Sequence, residues 1–477
     1  MNDQIRLRGG PPVGYLDYAR VGPLTPESAT ALADAVTLAG RCAPGDIDRL
    51  FALSDAARVS AARLLDARPH EIALAPSTSN GLFTAAAALR GPGTVLVPRD
   101  EFPANVYPWL RFAGRGGPDV RFVEPDRQRH ITPDLLRRHL TPDVTALAVS
   151  AVDSLTGHLA PLAALKEVLG PDRLLIVDAI QGLGAVPLDA DAADILVGGG
   201  QKWLRAGWGA ALLLIRDRCA ERLTPGLGGW AGVTEPFAAH HPAPPLPGAA
   251  AHLATNPDFP AAAALGAALD SLLAQGGPAA LGTRIRATLT ELLDRARRAG
   301  ADVLLDGLGE RERAGIGTFR LPGHDPAAVH LALETAGVTT TRRGEWIRLS
   351  PHATTTPAAT ELFADALGAL TRHGSHIPAS DAPTGHIPAS GVPTSHVATG
   401  HVPASRVPTG HVPASHIPAS HISTSDVPKG HVPANHVPTS HVPTGHVPTS
   451  HVPTTHIPTT PDRPRSQEPT CPTTPTP

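Results

Sequence analysis

Six short runs of almost uninterrupted apolar residues restrict most what this chain can fold into: TVLVP (94–98), VRFVEP (120–125), VTALAVSAV (144–152), RLLIVDA (173–179), DILVGGG (194–200) and GAALLLIR (209–216). A strand with one wet face alternates polar and apolar residues. These runs barely alternate, so both faces of the sheet they form must be covered. The cover is at hand in segments with helical apolar spacing, ALADAVTLAG (31–40), LFALSDAARVSAARLLDA (50–67) and SNGLFTAAAALR (79–90). The expected fold is α/β with a mainly parallel sheet. After Pro257 come two long helical stretches, AAAALGAALDSLLAQ and TRIRATLTELLDRARRAG, then GIGTFRLP, a helix over 326–336, and EWIRLSPH. They predict a smaller α+β domain. The domain plan is an N-terminal segment 1–30 packing with the small domain, a large domain 31–257, a small domain 258–373 and a tail 374–477.

The tail is a different polymer. From Ser375 to Thr459 it consists of seventeen five-residue units such as SHIPA and GHIPA, followed by a Pro/Thr-rich end. Recurrent proline removes backbone donors, and the single Val or Ile of a unit cannot build a core, so an extended, disordered tail is expected. Thirteen of the 24 histidines lie there, a spacing that could loosely hold divalent metal but that reads first as a solvated repeat. No metal site is expected in the rest.

A net charge of −3 gives no electrostatic reason to expect nucleic acid or an anionic membrane as partner. The three cysteines, Cys42, Cys219 and Cys471, are far apart and lack metal-ligand spacing, which argues against a disulfide framework and a zinc centre. The N-terminus has no apolar core of signal-peptide length, and no run reaches the roughly 18 uncharged apolar residues of a membrane span. A soluble, cytoplasmic protein is expected.

In an open parallel sheet, ligands sit at the carboxyl ends of the strands. RLLIVDAIQGLG puts Asp178 at one such end and Gln181 three residues later, and DILVGGGQKW puts Lys202 just past the next. Alone, these are an N-cap aspartate and a solvated lysine. Together they are the pair that pyridoxal 5′-phosphate needs, an acid for the pyridine nitrogen and an amine for the Schiff base. APSTSNGLF sets Ser77, Thr78 and Ser79 before a helix, where hydroxyls and free N–H groups suit a phosphate. Phe102, in PRDEFPANVYPW, offers an apolar plate for a ring. The glycines before Lys202 would let the backbone pass close to the phosphate.

The order STS, EFPANVYPW, SLTG, VDAIQGLGAVPLD, GGGQKWLRAGWG, LATNP and IRLSPH resembles the class V aminotransferases, fold-type I pyridoxal-phosphate enzymes that include cysteine desulfurases, kynureninase and isopenicillin N epimerase. The resemblance covers about residues 14–372. It implies that Lys202 forms the Schiff base and shuttles the proton, that Asp178 pairs with the pyridine nitrogen, and that Gln181 reaches the phenolic oxygen. It also implies a phosphate held by Thr78 and Ser79, Gln201 in place of a histidine, and Phe102 where desulfurases stack one. Ser154 replaces an asparagine near the cofactor, and Thr255 would reach the phosphate of the other subunit in a homodimer. Arg348 would grip the substrate's α-carboxylate. No cysteine stands between about 307 and 348, where a desulfurase's persulfide would form, and ATTT (353–356) replaces the usual aromatic-Asn-Thr. The implied activity is on an amino acid or cysteine-derived substrate through quinonoid chemistry, as a C–S lyase or aminotransferase. The alternatives are an epimerase and a degenerate binding protein that works through its tail.

Overall fold

A computed structural model of the chain describes residues 10–126, 130–237, 242–304, 307–309 and 312–372. The pentapeptide repeats and Cys471 lie outside these. The central sheet has seven strands: β1 (Ile72–Ala75), β2 (Thr94–Pro98), β3 (Asp119–Val123), β4 (Val144–Ser150), β5 (Leu174–Asp178), β6 (Ile195–Gly199) and β7 (Ala211–Ile215). Their order is β1-β7-β6-β5-β4-β2-β3. From β3 across to β6 the pairs are parallel, while β7 runs antiparallel to both β6 and β1. The α/β fold is as expected. The reversed β7 has a local cause: only residues 200–210 join it to β6, without a helix, too little chain for the crossover that a parallel return requires.

The apolar runs are apolar because the sheet is covered twice. Leu147, Val149, Leu175, Val177, Leu196 and Leu214 point into one core, and Ala146, Ala148, Leu174, Ile176, Ile195 and Leu213 into the other. Period-two alternation is present, but it sorts residues between two dry faces. Helices α1 (Pro26–Arg41), α2 (Asp46–Leu65) and α3 (Thr78–Ala88) precede and interleave the first strands. Helix α4 (Phe259–Ala274), placed by the sequence with the smaller part, packs mainly on α1 and α2. The next helix, α5 (Gly277–Arg298), supports the second sheet instead, through Leu289, Leu292 and Leu293.

That second sheet comprises β8 (Asp302–Val303), β9 (Gly317–Arg320), β10 (Thr341–Arg343) and β11 (Trp346–Leu349), ordered β10-β11-β9-β8, all antiparallel. Phe319, Ile347 and Leu349 fill its dry side together with Phe363. Thr318, Thr341 and Arg348, aligned across the three strands, occupy the other side. The N-terminal segment is strapped to this unit: Gly14–Tyr15 pairs with Val338–Thr339, and Leu16 and Tyr18 exchange backbone hydrogen bonds with Ser350. It then crosses the loop after β6, where Gly22 N–H donates to Gln201 O at 2.8 Å.

Candidate active site

Strands β5 and β6 are neighbours in register, Asp178 opposite Val197, so their carboxyl ends present Asp178 and the loop that holds Lys202 side by side. Asp178 is 2% exposed. One carboxyl oxygen, Oδ1, accepts from Ile180 N–H at 3.0 Å. The other, Oδ2, is buried without a hydrogen-bond partner. An orphaned carboxylate oxygen is costly, and a native fold keeps one where something outside the chain supplies the donor. Burial pushes the Asp178 carboxyl up to about 6, against the Ile180 N–H and the Lys202 charge. Burial likewise pushes Lys202 down to about 8, Asp178 opposing and Arg348 and Arg343 adding to the fall. Lys202 retains some solvent access, and its Nζ stands 5.8 Å from the centroid of the Phe102 ring.

Thr78 opens α3 behind the N-cap Ser77, whose Oγ accepts from Asn80 N–H at 3.2 Å. The Thr78 hydroxyl is buried and has no partner. Ser79, one residue on, is exposed. The loop after β6 comes to the same place: a Cβ on Gly199 would stand 2.2 Å from Gln201 Oε1 and 3.0 Å from Thr78 Oγ1. A larger residue at 199 would displace the Gln201 side-chain amide and crowd the Thr78 hydroxyl. Gly22 is tighter still, since a Cβ there would fall 1.9 Å from the Lys202 carbonyl.

Gln181 and Trp203, left apart by the sequence, form one unit. The Trp203 indole N–H donates to Gln181 Oε1, and Gln181 Nε2 donates to Ala19 O, each at 3.0 Å. One N–H of the Gln181 amide is left to point elsewhere. Arg348, 1% exposed, donates from Nη1 to Ser154 O at 3.0 Å and from Nη2 to Asp17 Oδ1 at 3.2 Å, and its Nε has no partner. Ser154 thus meets the site through its carbonyl. Thr255 is exposed.

The sequence reading missed two carboxylates. Asp17 pairs with Arg348 and accepts from Thr341 Oγ1 at 2.7 Å, and nothing in GYLDYARVGP identifies that partner. Glu101, hidden beside the more conspicuous Phe102, accepts from Ser150 N–H at 2.6 Å and from the Ser150 hydroxyl. Burial, with the Asp178 charge adding, pushes it up to about 7. It ties the loop after β2 to the end of β4, next to Asp178.

The profile of the aminotransferase class-V family matches residues 48–351. The chain belongs to the class-V aminotransferase family. Isopenicillin N epimerase of Streptomyces clavuligerus is 30% identical over 344 residues, 66% of this chain and 84% of that protein. Kynureninase of Deinococcus radiodurans is 33% identical over 227 residues, 46% of this chain, and the chain spans only about half, 54%, of that relative's length. Among solved structures, the cystine C–S lyase C-DES, in complex with its product cysteine persulfide, superposes with a TM-score of 0.69 at 20% identity, covering 74% of this chain and 97% of that one. That last likeness concerns the fold.

The cofactor of the family is pyridoxal phosphate. The residues present fit it: an unpartnered buried carboxylate oxygen on Asp178, an unpartnered buried hydroxyl on Thr78 at a helix start, and a lysine of lowered basicity near Asp178. Among the described residues no group of three or more His, Cys, Asp or Glu side chains could hold a metal ion, and no helix is long and apolar enough to cross a membrane.

A pH dependence follows for the cofactor-free protein. A lysine attacks a carbonyl as its neutral amine, and Lys202 becomes neutral near pH 8, against 10.5 for a free side chain. Capture of added pyridoxal phosphate, followed by stopped-flow absorbance, is expected to accelerate as pH rises and to level off above a midpoint of about 8. A midpoint near 10 would show that burial does not act on this amine.

Proposed function

We propose that this protein is a pyridoxal-phosphate enzyme that removes a proton from the α-carbon of an amino acid, with Lys202 as the base. Asp178 Oδ2, buried and unpartnered beside Lys202, carries the proposal. When bound, the cofactor supplies a sink for the electrons of the broken C–H bond. Asp178 holds the proton on the ring nitrogen, and the free N–H of Gln181 is available to the phenolic oxygen. Thr78, with Ser79 and the α3 N-terminus, takes the phosphate, and Phe102 covers the ring. Gln201, at the position where a histidine is usual, shares the surroundings of Gly199 with Thr78, and Ser154 holds Arg348 through its carbonyl. In this reading Thr255 serves the phosphate of a second copy in a homodimer. Lys202, neutral once its proton is displaced, takes the α-proton and can return it.

Arg348 binds the substrate's α-carboxylate. Its two terminal nitrogens already have partners inside the protein, so the carboxylate meets a guanidinium that Asp17 and Ser154 hold still, with Nε unpartnered. A fixed fork loses little freedom on binding.

The reaction branch we favour is C–S lyase or aminotransferase chemistry on an amino acid or cysteine-derived substrate. No cysteine stands between residues 307 and 348, so no protein thiol is available there to receive sulfur, and a lyase needs none. Epimerisation is the second reading, because isopenicillin N epimerase is matched over 84% of its length. One experiment separates them. Holoenzyme is mixed with amino acids and cysteine conjugates in deuterated water, and pyruvate, ammonia, keto acid and inverted, deuterated substrate are measured. Ammonia with pyruvate supports the lyase, a keto acid the aminotransferase, and inverted substrate the epimerase. If no amino acid alters the bound cofactor's spectrum or yields any product, the proposed function is wrong.

A further inference from the structure

The polar side of the second sheet carries more positive charge than its neighbours neutralise. The β10–β11 register sets Thr341 opposite Arg348 and Arg343 opposite Trp346. Residues directly opposite share a face, and so do residues two apart, so Arg343 projects on the same side as Arg348. On this side Arg348 and Thr341 both use the carboxylate of Asp17. The acids near the hairpin tip are also engaged, since Glu345 and Asp302 both hold Arg320. Arg342 turns back to the carbonyl of Gly344.

Arg343 is exposed and pairs with no carboxylate among the described residues, and the same holds for Arg20 on the N-terminal segment. The two differ in reach. The Arg20 charge acts on Arg348, whereas the Arg343 charge acts on Arg348 and on Lys202, and the register sets Arg343 on the sheet face that carries Arg348. A cation on the same sheet face as Arg348, with no carboxylate partner among the described residues, leaves a place for an anion brought from outside.

We infer that Arg343 receives a second anionic group, at the far end of the substrate, and that the preferred substrate is an amino acid with an acidic side chain. The inference rests on the proposed roles of Lys202 and Arg348 in taking the α-proton and the α-carboxylate. Two anions, the α-carboxylate and a side-chain acid, answer two guanidiniums on one face. A carboxylate and a sulfonate share the required chemistry.

The test uses matched substrates that differ in one charge: aspartate against asparagine, glutamate against glutamine, S-carboxymethylcysteine against S-carbamoylmethylcysteine, with cysteate as the sulfonate. Each is titrated into the holoenzyme, and KM and kcat are measured for the wild type, Arg343→Gln and Arg343→Lys. Wild type is expected to prefer the acidic member of at least one pair. Arg343→Gln is expected to raise KM for that acid about tenfold, with kcat and the amide's KM changing less than about twofold, and lysine to restore part of the loss. An independent measurement needs no variant: the wild-type preference for the acid should shrink as salt rises. Equal treatment of acid and amide by wild type, or an equal KM rise for both in Arg343→Gln, overturns the inference and leaves the proposed function standing. Failure of every amino acid to perturb the bound cofactor overturns both.

Discussion

Lys202→Ala is expected to lower turnover by about 10³-fold or more and to abolish the cofactor that borohydride fixes covalently to the protein. The size follows from two roles lost at once, the amine that anchors the cofactor and the base that takes the α-proton. Alanine supplies neither. No other amine is described at the site: Arg348 and Arg343 are guanidiniums, which do not lose a proton at working pH. The backbone carries the opposite constraint, because the loop is held by Gly22 N–H to Gln201 O and by Thr25 N–H to Arg205 O. The alanine variant should therefore keep its fold. Mass spectrometry of reduced protein, with the circular dichroism of wild type and variant, is the measurement. A variant that retains the covalent cofactor and most of its activity would remove Lys202 from the mechanism.

Asp178→Asn is the second large effect. The orphaned Oδ2 is the one described group whose charge and position suit a protonated ring nitrogen, and burial already strains it, pushing it up to about 6. An amide has the same shape, keeps the bond to Ile180 N–H through its oxygen, and carries no charge. Removing a preorganised charge from a dry site costs about 10²-fold in kcat, roughly 2.7 kcal/mol. The stability of the cofactor-free protein should move the other way. A carboxylate whose folded pKa is raised above its unfolded value weakens the fold where it is ionised, above about pH 6, and the weakening fades as pH falls through that value toward 3.8. Asparagine escapes this. The cofactor-free variant should thus melt no lower than wild type at pH 8, and its advantage should vanish at pH 4. A kcat loss accompanied by a lower melting temperature would mean that Asp178 is structural.

The two variants also test the site in the order the chain builds it. Asp178 ends β5 and Lys202 follows β6, and hydrogen-bonded neighbours in a parallel sheet must bring such ends together. That juxtaposition was legible from the sequence, as were the α/β class and most strands, because each rests on chemistry within one element: an apolar run, its turn residues and the group just past its end. The start of α3 at Ser77 and Thr78 was legible for the same reason, since an N-cap is a local device.

The features that no local pattern gives lie between elements. Arg348 was identifiable, but its partner Asp17 stands 331 residues away, and the strap that carries Asp17 is set by pairing with Val338–Thr339. Trp203 donates its indole proton to Gln181, which folds back from the previous strand's end, a pairing that no local pattern gives. Glu101 was overlooked because the end of β4 that binds it lies 49 residues on. The side of the hairpin that Arg343 takes depends on strand register, and a one-residue slip would turn it to the dry face. Side-chain chemistry is written residue by residue, whereas which charges end up without a partner depends on how all the elements pack. The residues at the strand ends and the cofactor they suit are therefore readable along the chain, and the packing sets which of their atoms stay free to act.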